Sequence, residues 1–135
     1  LCFVTKLSYY SFMTRIKNAL LYVMSALYIL AGIMHFANPG FYTAIMPPWL
    51  PWHLELVYIS GVCESLLGLL LLPRRTRRLT AWGIIALLIA VFPANIQMMI
   101  NYANENNPDL WIAIIRLPLQ LILIWWAWLY AKKLQ

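Results

Sequence analysis

The sequence predicts an all-α integral membrane protein, a bundle of four transmembrane helices with both termini on the cytoplasmic side. Hydrophobic residues make up 64% of the 135 residues, whereas charged residues make up only 10%. Soluble domains carry about 45 to 50% apolar and about 25% charged residues, so this chain has too little polar surface to face water on all sides. In addition, its apolar residues collect in four long runs separated by short connections.

We place the spans at about 19–36, 54–72, 79–100 and 110–131. Each run can cross a hydrocarbon core of about 30 Å, which takes about 20 helical residues. Lipid offers no partners for open backbone groups, and the runs are about twice as long as a barrel strand and lack its alternation. They therefore predict helices and exclude a closed barrel.

These spans form one predicted domain, 19–131, between a cytoplasmic N-terminal segment, 1–18, and a cytoplasmic tail, 132–135. Met13 begins a short basic stretch that resembles a natural start, so we expect that residues 1–12 are not native. This stretch leads into an apolar run long enough to stay in the membrane, and no cleavable secretory signal is evident.

The predicted orientation follows from the basic residues, because short loops rich in Lys and Arg stay in the cytoplasm. Nine of them lie before the first span, between the second and third spans, or after the fourth: Lys6, Arg15, Lys17, Arg74, Arg75, Arg77, Arg78, Lys132 and Lys133. The predicted location is the bacterial inner membrane. The net charge of +6 then reflects this topology and attraction to membrane lipid, and no nucleic-acid partner is expected.

Aromatic residues are predicted to mark both membrane interfaces, where amphipathic rings are favoured. We assign Trp49, Trp52 and Trp111 to the outer interface. The residues assigned to the inner interface are Trp82, Trp125, Trp126, Trp128 and Tyr130.

Two charged residues stand out because they lie well inside the predicted spans, Glu64 and Arg116. Charged groups at membrane depth are costly and usually have a partner or a task. Glu64 lies roughly 15 Å below the outer surface and Arg116 roughly 9 Å below it, at 1.5 Å rise per residue. An ion pair between them is therefore geometrically reasonable.

Other polar residues fall in the same outer half and turn this pair into a candidate ligand-binding site or polar network. Ser25, Tyr28, Gly32 and His35 share one face of the first span at helical spacing. Gln97 is predicted to face another surface, and Pro118 to interrupt the fourth helix. The predicted site residues are His35, Ser60, Glu64, Asn95, Arg116 and Gln120.

Cysteine and metal chemistry are not indicated by the sequence. Cys2 and Cys63 form no CxxC pair, so a dithiol relay within this chain is not expected. His35 has no second ligand at metal spacing, because His53 falls in the external connection. We predict no metal site and leave the catalytic residues unassigned.

The connection 37–53 is rich in proline and aromatic residues, so it cannot be helical throughout. Its apolar content predicts that it lies on or dips into the outer interface. We favour a rigid interfacial loop there over a lid across the mouth of the bundle.

Four short segments together resemble the DoxX family of small four-span bacterial membrane proteins, over residues 20–130. They are AGIMHF at 31–36 with Pro39 and Tyr42, IMP at 45–47, SGVCE at 60–64 with Gly68, and FPAN at 92–95 with RLPLQ at 116–120. The resemblance implies a membrane role near redox chemistry, since some relatives are associated with thiosulfate to quinone electron transfer, methylamine utilisation or oxidative-stress complexes. No cofactor motif is evident in this chain, although the resemblance makes a quinone the cofactor to consider.

Two function classes remain open. In one, the protein is a redox-associated membrane subunit whose outer-half cavity binds a quinone-like or other amphipathic molecule. In the other, it is a non-catalytic membrane anchor or assembly subunit with a structural Glu–Arg network. Transport is disfavoured, because four short helices form a transport path only as an oligomer. A protein partner or a homo-oligomer fits either class, and whether the chain is an enzyme stays open.

Overall fold

The computed structural model describes residues 2–132, and this part of the chain is helical almost throughout, with no strand within it. In chain order the helices are α1 (Cys2–Ala37), α2 (Pro39–Ala44), α3 (His53–Leu70), α4 (Arg74–Asn104) and α5 (Leu110–Ala131). The side chain of Cys2 and residues 1 and 133–135 lie outside the described part. Most of the predicted tail, including Lys133, therefore lies outside it as well.

Four of these helices, α1, α3, α4 and α5, are long and apolar enough to cross a membrane. Large apolar side chains cover their outer faces, and Leu30, Ile89 and Leu121 are each 60% or more exposed. Exposing so many large apolar side chains to water is unfavourable, whereas contact with apolar surroundings is not. The predicted fold class, an all-helical bundle with four helices of membrane-spanning length, is confirmed.

The helices differ from the predicted spans mainly at their polar ends. α1 begins at Cys2 rather than near residue 19, and α4 begins at Arg74 rather than near residue 79. Apolar runs mark only the part of a helix that contacts lipid, and polar residues can continue the same helix beyond it. Pro73 separates α3 from α4, since its backbone is extended (φ −66°, ψ 135°) and a proline disfavours helix in the residue before it.

Both helical prolines lie inside unbroken helices. α4 continues through Pro93, and α5 continues from Leu110 to Ala131 through Pro118. The predicted interruption of the fourth helix at Pro118 is therefore wrong. A proline removes one backbone hydrogen bond, whereas a full break inside a membrane span would leave several backbone groups without partners.

The helices associate as two tightly packed pairs. α1 packs along α3, and α4 packs along α5, whereas α3 and α4 touch over a shorter length. Within residues 2–132, the backbones of α1 and α5 nowhere come within 8 Å between Cα atoms. The bundle is therefore closed within each pair and more open between the pairs.

Glycines allow the close approach of α1 to α3. A Cβ atom added at Gly61 would lie 2.7 Å from the Cβ of His35 and 2.9 Å from the carbonyl oxygen of Gly32. One added at Gly68 would lie 2.9 Å from the carbonyl oxygen of Ser25, whose hydroxyl donates a 2.7 Å hydrogen bond to the carbonyl of Gly68. Small residues permit this kind of backbone contact between membrane helices. The contact places His35 of α1 beside the polar face of α3.

Two apolar clusters lie toward opposite ends of the bundle. We call the end that carries Lys17, the α3–α4 connection and Lys132 the basic end, and the opposite end the α2 end. The larger cluster lies toward the basic end and is built around Leu21, Met24, Ile84, Leu88 and Ala127, among others. The smaller cluster joins Ile45, Met98 and Ala113 at the α2 end.

Candidate functional site

A cavity of about 510 Å³ lies between the two helix pairs and between the two apolar clusters. Its walls are mainly apolar, and all five helices and the segment after α2 contribute to them. The structure brings all six predicted site residues to this one cavity. They are His35 from α1, Ser60 and Glu64 from α3, Asn95 from α4, and Arg116 and Gln120 from α5.

His35 is buried near the end of α1, where it joins three elements of the site. Its Nδ1 atom donates a 2.8 Å hydrogen bond to the carbonyl of Ala31, one turn earlier in the helix. The same atom lies 3.7 Å from Oε2 of Glu64, within ion-pair distance when the ring is protonated. The imidazole also stacks on the ring of Tyr42, with centroids 3.8 Å apart.

The partner of Glu64 differs from the one predicted. The expected direct ion pair between Glu64 and Arg116 is wrong. Within 4 Å, the cationic partner of Glu64 among the described residues is His35. Nη1 of Arg116 instead donates to the sulfur of Met98 at 3.6 Å. The glycine contacts of α1 with α3 bring the imidazole closest to the carboxylate, while Arg116 lines the same cavity from α5. In the anchor alternative, the structural network that was predicted to join Glu64 to Arg116 therefore joins Glu64 to His35 instead.

Tyr42 from α2 covers the site at the α2 end. It stacks on His35 and packs edge to face against Phe41. Burial raises the pKa of the Tyr42 hydroxyl, the Glu64 carboxylate raises it further, and Arg116 lowers it. The phenol therefore stays neutral and able to donate a hydrogen bond at physiological pH.

An amide pair links α4 to α5 across the cavity. Nδ2 of Asn95 donates to Oε1 of Gln120 at 2.7 Å. Nε2 of Gln120 donates in turn to the backbone carbonyl of Leu88. Asn95 and Leu88 both belong to α4, so the buried side chain of Gln120 bonds to α4 through both ends of its amide. This arrangement fixes the orientation of Gln120 and holds α5 against α4.

The hydroxyl of Tyr28 is buried and has no hydrogen-bond partner within residues 3–132. The residue is 93% buried, since its exposed fraction is 7%, and it lines the cavity. Buried hydroxyls are normally paired, and leaving one unpaired costs about 1 to 3 kcal/mol. The hydroxyl is therefore available to a polar group placed in the cavity.

Sequence reasoning missed two wall residues. Tyr42 was noted only within a family-like segment, because sequence spacing could not show that α2 folds back over His35. Trp126 was assigned to the inner interface, but it lines the cavity and donates from its indole N–H to the hydroxyl of Tyr130 at 3.4 Å. Gln97 lies away from the cavity and donates to Asn101 at 2.8 Å, as its helical position predicts.

The connection after α2 forms one end of the cavity. The whole connection between the first two spans, 37–53, is helical mainly over Pro39–Ala44 (α2), which agrees with the prediction that it is not helical throughout. Ile45 and Met46 reach the cavity wall, and the ring of His53 bonds to the carbonyl of Pro47 at 3.2 Å. The segment is therefore held in place against the bundle.

Apolar residues of α1 and α5, two helices whose described backbones nowhere come within 8 Å between Cα atoms, also line the cavity. Leu27 of α1 and Leu119 of α5 both line the cavity, and each is about half exposed on the outside of the bundle. The boundary there consists of apolar side chains.

Cys63 is a free, partly buried thiol in α3. The side chain of the other cysteine, Cys2, lies outside the described part of the chain. Among residues 3–132, no three His, Cys, Asp or Glu side chains come together as metal ligands.

Comparison with known proteins places the chain in a family without assigning it a reaction. Residues 24–131 match the model of a domain of unknown function, DUF8561, and the chain belongs to this family. No curated protein and no solved structure matches it. The matched range includes every residue that lines the cavity. Membership in the DoxX family stays a prediction from the sequence segments.

Proposed function

We propose that this protein is a DoxX-like membrane subunit that binds a quinone-like or other amphipathic small molecule in the cavity between its two helix pairs. In the proposal it resides in the bacterial inner membrane with both termini in the cytoplasm and serves redox chemistry carried out with a partner protein. The observation that carries it is the meeting of His35, Glu64, Arg116 and the unpaired hydroxyl of Tyr28 in one mainly apolar cavity.

The size and lining of the cavity fit such a ligand. A volume of about 510 Å³ lies within the roughly 300 to 1,000 Å³ typical of small-molecule sites. Those sites combine apolar walls with a few placed polar groups, which is the composition here. The apolar boundary formed by Leu27 and Leu119 gives an aliphatic tail a route toward lipid, while the polar end of the ligand stays between the helices.

The residues of the chain have distinct roles in this proposal. Arg116 and the hydroxyl of Tyr28 donate hydrogen bonds to ligand oxygens, since both present N–H or O–H groups to the cavity. Glu64 and His35 hold a proton between them and exchange it with the ligand. A bound quinone would supply the electron-accepting chemistry, and the chain would position it and exclude water.

A structural alternative is favoured by one observation. The His35–Glu64 contact joins α1 to α3, and the Asn95–Gln120 contact joins α4 to α5, so the same polar groups also tie each helix pair together. Polar contacts between membrane helices contribute about 0.6 kcal/mol each on average. In this alternative the protein is a membrane anchor or assembly subunit, and its polar groups only stabilise the bundle.

The test is native mass spectrometry with lipid analysis on protein extracted gently from its own membrane. We expect a specific amphipathic molecule to co-purify with the unaltered protein. Glu64→Gln and Arg116→Gln should each weaken its retention by about tenfold or more, because hydrogen bonds to charged groups contribute about 1.5 to 3 kcal/mol.

Glu55→Gln is the matched control. Glu55 lies in the first turn of the same helix, α3, and is exposed outside the cavity, so this change should leave retention as it was. Protein that carries only bulk lipid or a partner subunit, with no ligand sensitive to Glu64→Gln, would overturn the proposal in favour of the anchor.

A further inference from the structure

A second concave site lies at the basic end of the bundle, apart from the cavity described above. It has a volume of about 590 Å³ and is formed by α1, the first turns of α4, and the end of α5. Five cationic residues line it: Lys17, Arg74, Arg77, Arg78 and Lys132. Thr14, Asn18 and Tyr130 add polar groups to its wall. We call this site the basic pocket.

The charge of the basic pocket is not matched by an acidic side chain within residues 3–132. The sequence contains four acidic residues, namely Glu55, Glu64, Glu105 and Asp109. Glu64 lies in the central cavity, and the other three lie at the α2 end, at the start of α3 and in the α4–α5 connection. No acidic side chain of the described residues therefore lines the basic pocket, which leaves its cationic groups open to an external anion.

Two of the three arginines of the basic pocket, Arg77 and Arg78, are held in place by neutral groups. Arg77 donates from Nε to the carbonyl of Leu71 at 3.2 Å and from Nη2 to that of Leu72 at 2.7 Å. Arg78 donates from Nε to the carbonyl of Ala131 at 3.2 Å, which links α4 to α5. A guanidinium has five N–H donors, so both retain donors beyond these bonds while their positive charge stays uncompensated.

The other walls are also cross-linked between helices. The Tyr130 hydroxyl of α5 donates to the carbonyl of Lys17 in α1 at 3.0 Å. The ammonium of Lys132 lies 3.4 Å from the centre of the Trp128 ring. α4 begins at Arg74, so the positive end of its helix dipole also faces this region. Three helices thus build the basic pocket together.

We propose that the basic pocket binds the phosphate group of an anionic phospholipid. Fixed guanidinium groups match the geometry of phosphate oxygens, and basic pockets between membrane helices recognise phospholipid headgroups. The basic pocket lies where α4 begins and α5 ends, whereas α1 continues past it toward Cys2. Leu129 supplies an apolar wall for the start of an acyl chain. This inference is independent of the ligand proposed for the central cavity.

A general attraction of basic loops to anionic membranes would produce a similar charge distribution, so the experiment must separate the basic pocket from charge alone. Arg74 and Arg75 allow this, because they are adjacent, equally charged and both exposed, while only Arg74 lines the basic pocket. Lys17 and Arg15 on α1 allow the same comparison, because both are exposed and equally charged, while only Lys17 lines the basic pocket.

The experiment titrates detergent-purified full-length protein with phosphatidylglycerol, phosphatidylcholine and inorganic phosphate, and counts bound lipid by native mass spectrometry. We expect one phosphatidylglycerol to bind in preference to phosphatidylcholine. Arg74→Gln and Lys17→Gln should each weaken it by about fivefold, since each basic group near an anionic headgroup contributes about 1 kcal/mol. Arg75→Gln and Arg15→Gln should change it by less than about twofold.

Equal weakening by Arg74→Gln and Arg75→Gln would overturn the proposal, because unspecific surface charge would then explain the binding. Inorganic phosphate that displaces phosphatidylglycerol at equal concentration would also overturn it and assign the basic pocket to a soluble anion. Helix content measured by circular dichroism shows whether each variant remains folded.

Discussion

The half of the bundle toward the basic end and the half toward the α2 end are built from the same four long helices, yet they are packed differently. Toward the basic end, Met24, Leu71 and Ile84 are fully buried and fill the space between the helix pairs. Toward the α2 end, polar side chains and α2 surround a cavity. The comparison indicates that the first half stabilises the bundle and the second half holds the candidate site.

The largest expected effect comes from removing a buried side chain in the packed half. Met24→Ala should lower the free energy of unfolding by about 2 to 5 kcal/mol, because it leaves a hole among close-packed neighbours. Leu27→Ala is the comparison in the cavity half, since Leu27 lies next to the cavity and is 49% exposed. It should cost less than about 1 kcal/mol. Denaturant unfolding in mixed micelles measures both, and equal losses would contradict the division into two halves.

A smaller effect is expected from widening the α1–α3 contact. Gly61→Leu should destabilise the fold by about 1 to 3 kcal/mol, because any side chain at this position meets His35 and the backbone of Gly32. The same change should move His35 away from Glu64 and weaken ligand retention. Gly40→Ala is the control, as a Cβ at Gly40 has no neighbour within 4 Å. If Gly61→Leu unfolds at the same denaturant concentration as the unaltered protein, the glycine contact does not set the helix spacing.

The smallest effect concerns the amide pair in the cavity half. A double-mutant cycle with Asn95→Leu and Gln120→Leu should give a coupling of about 0.6 kcal/mol, the average for polar contacts between membrane helices. Gln97 and Asn101 form a similar 2.8 Å bond within α4, so Gln97→Leu should leave the association of α4 with α5 unchanged. Fully additive effects of Asn95→Leu and Gln120→Leu would show that their contact adds nothing to the packing of the cavity half.

The two halves also differ in how well the sequence predicted them. Helical spacing placed Ser25, Tyr28, Gly32 and His35 on one face, and the structure buries all four in the bundle. The same reasoning chose Arg116 as the partner of Glu64, because it placed His35 at the outer end of the first span, farther from the depth of Glu64 than Arg116. The glycine contact between α1 and α3 decided in favour of His35, and it depends on the approach of two backbones rather than on position along either helix.

The basic pocket shows a similar limit. The sequence showed that Lys and Arg collect beside the same set of span ends, and this pattern predicts orientation. It could not show that Arg74 faces a pocket while Arg75 does not, since the difference depends on where α1 and α5 lie around the start of α4.

By itself, the sequence determined the all-helical fold, the number of helices long and apolar enough to cross a membrane, and the set of polar residues within them. These properties follow from composition and from the period of an α-helix, and both can be read along the chain. The tertiary structure alone decided that α2 folds over His35, that α5 stays whole at Pro118, and that the two helix pairs leave a cavity between them. Each of these depends on distances between residues far apart in sequence, which a periodic pattern does not contain.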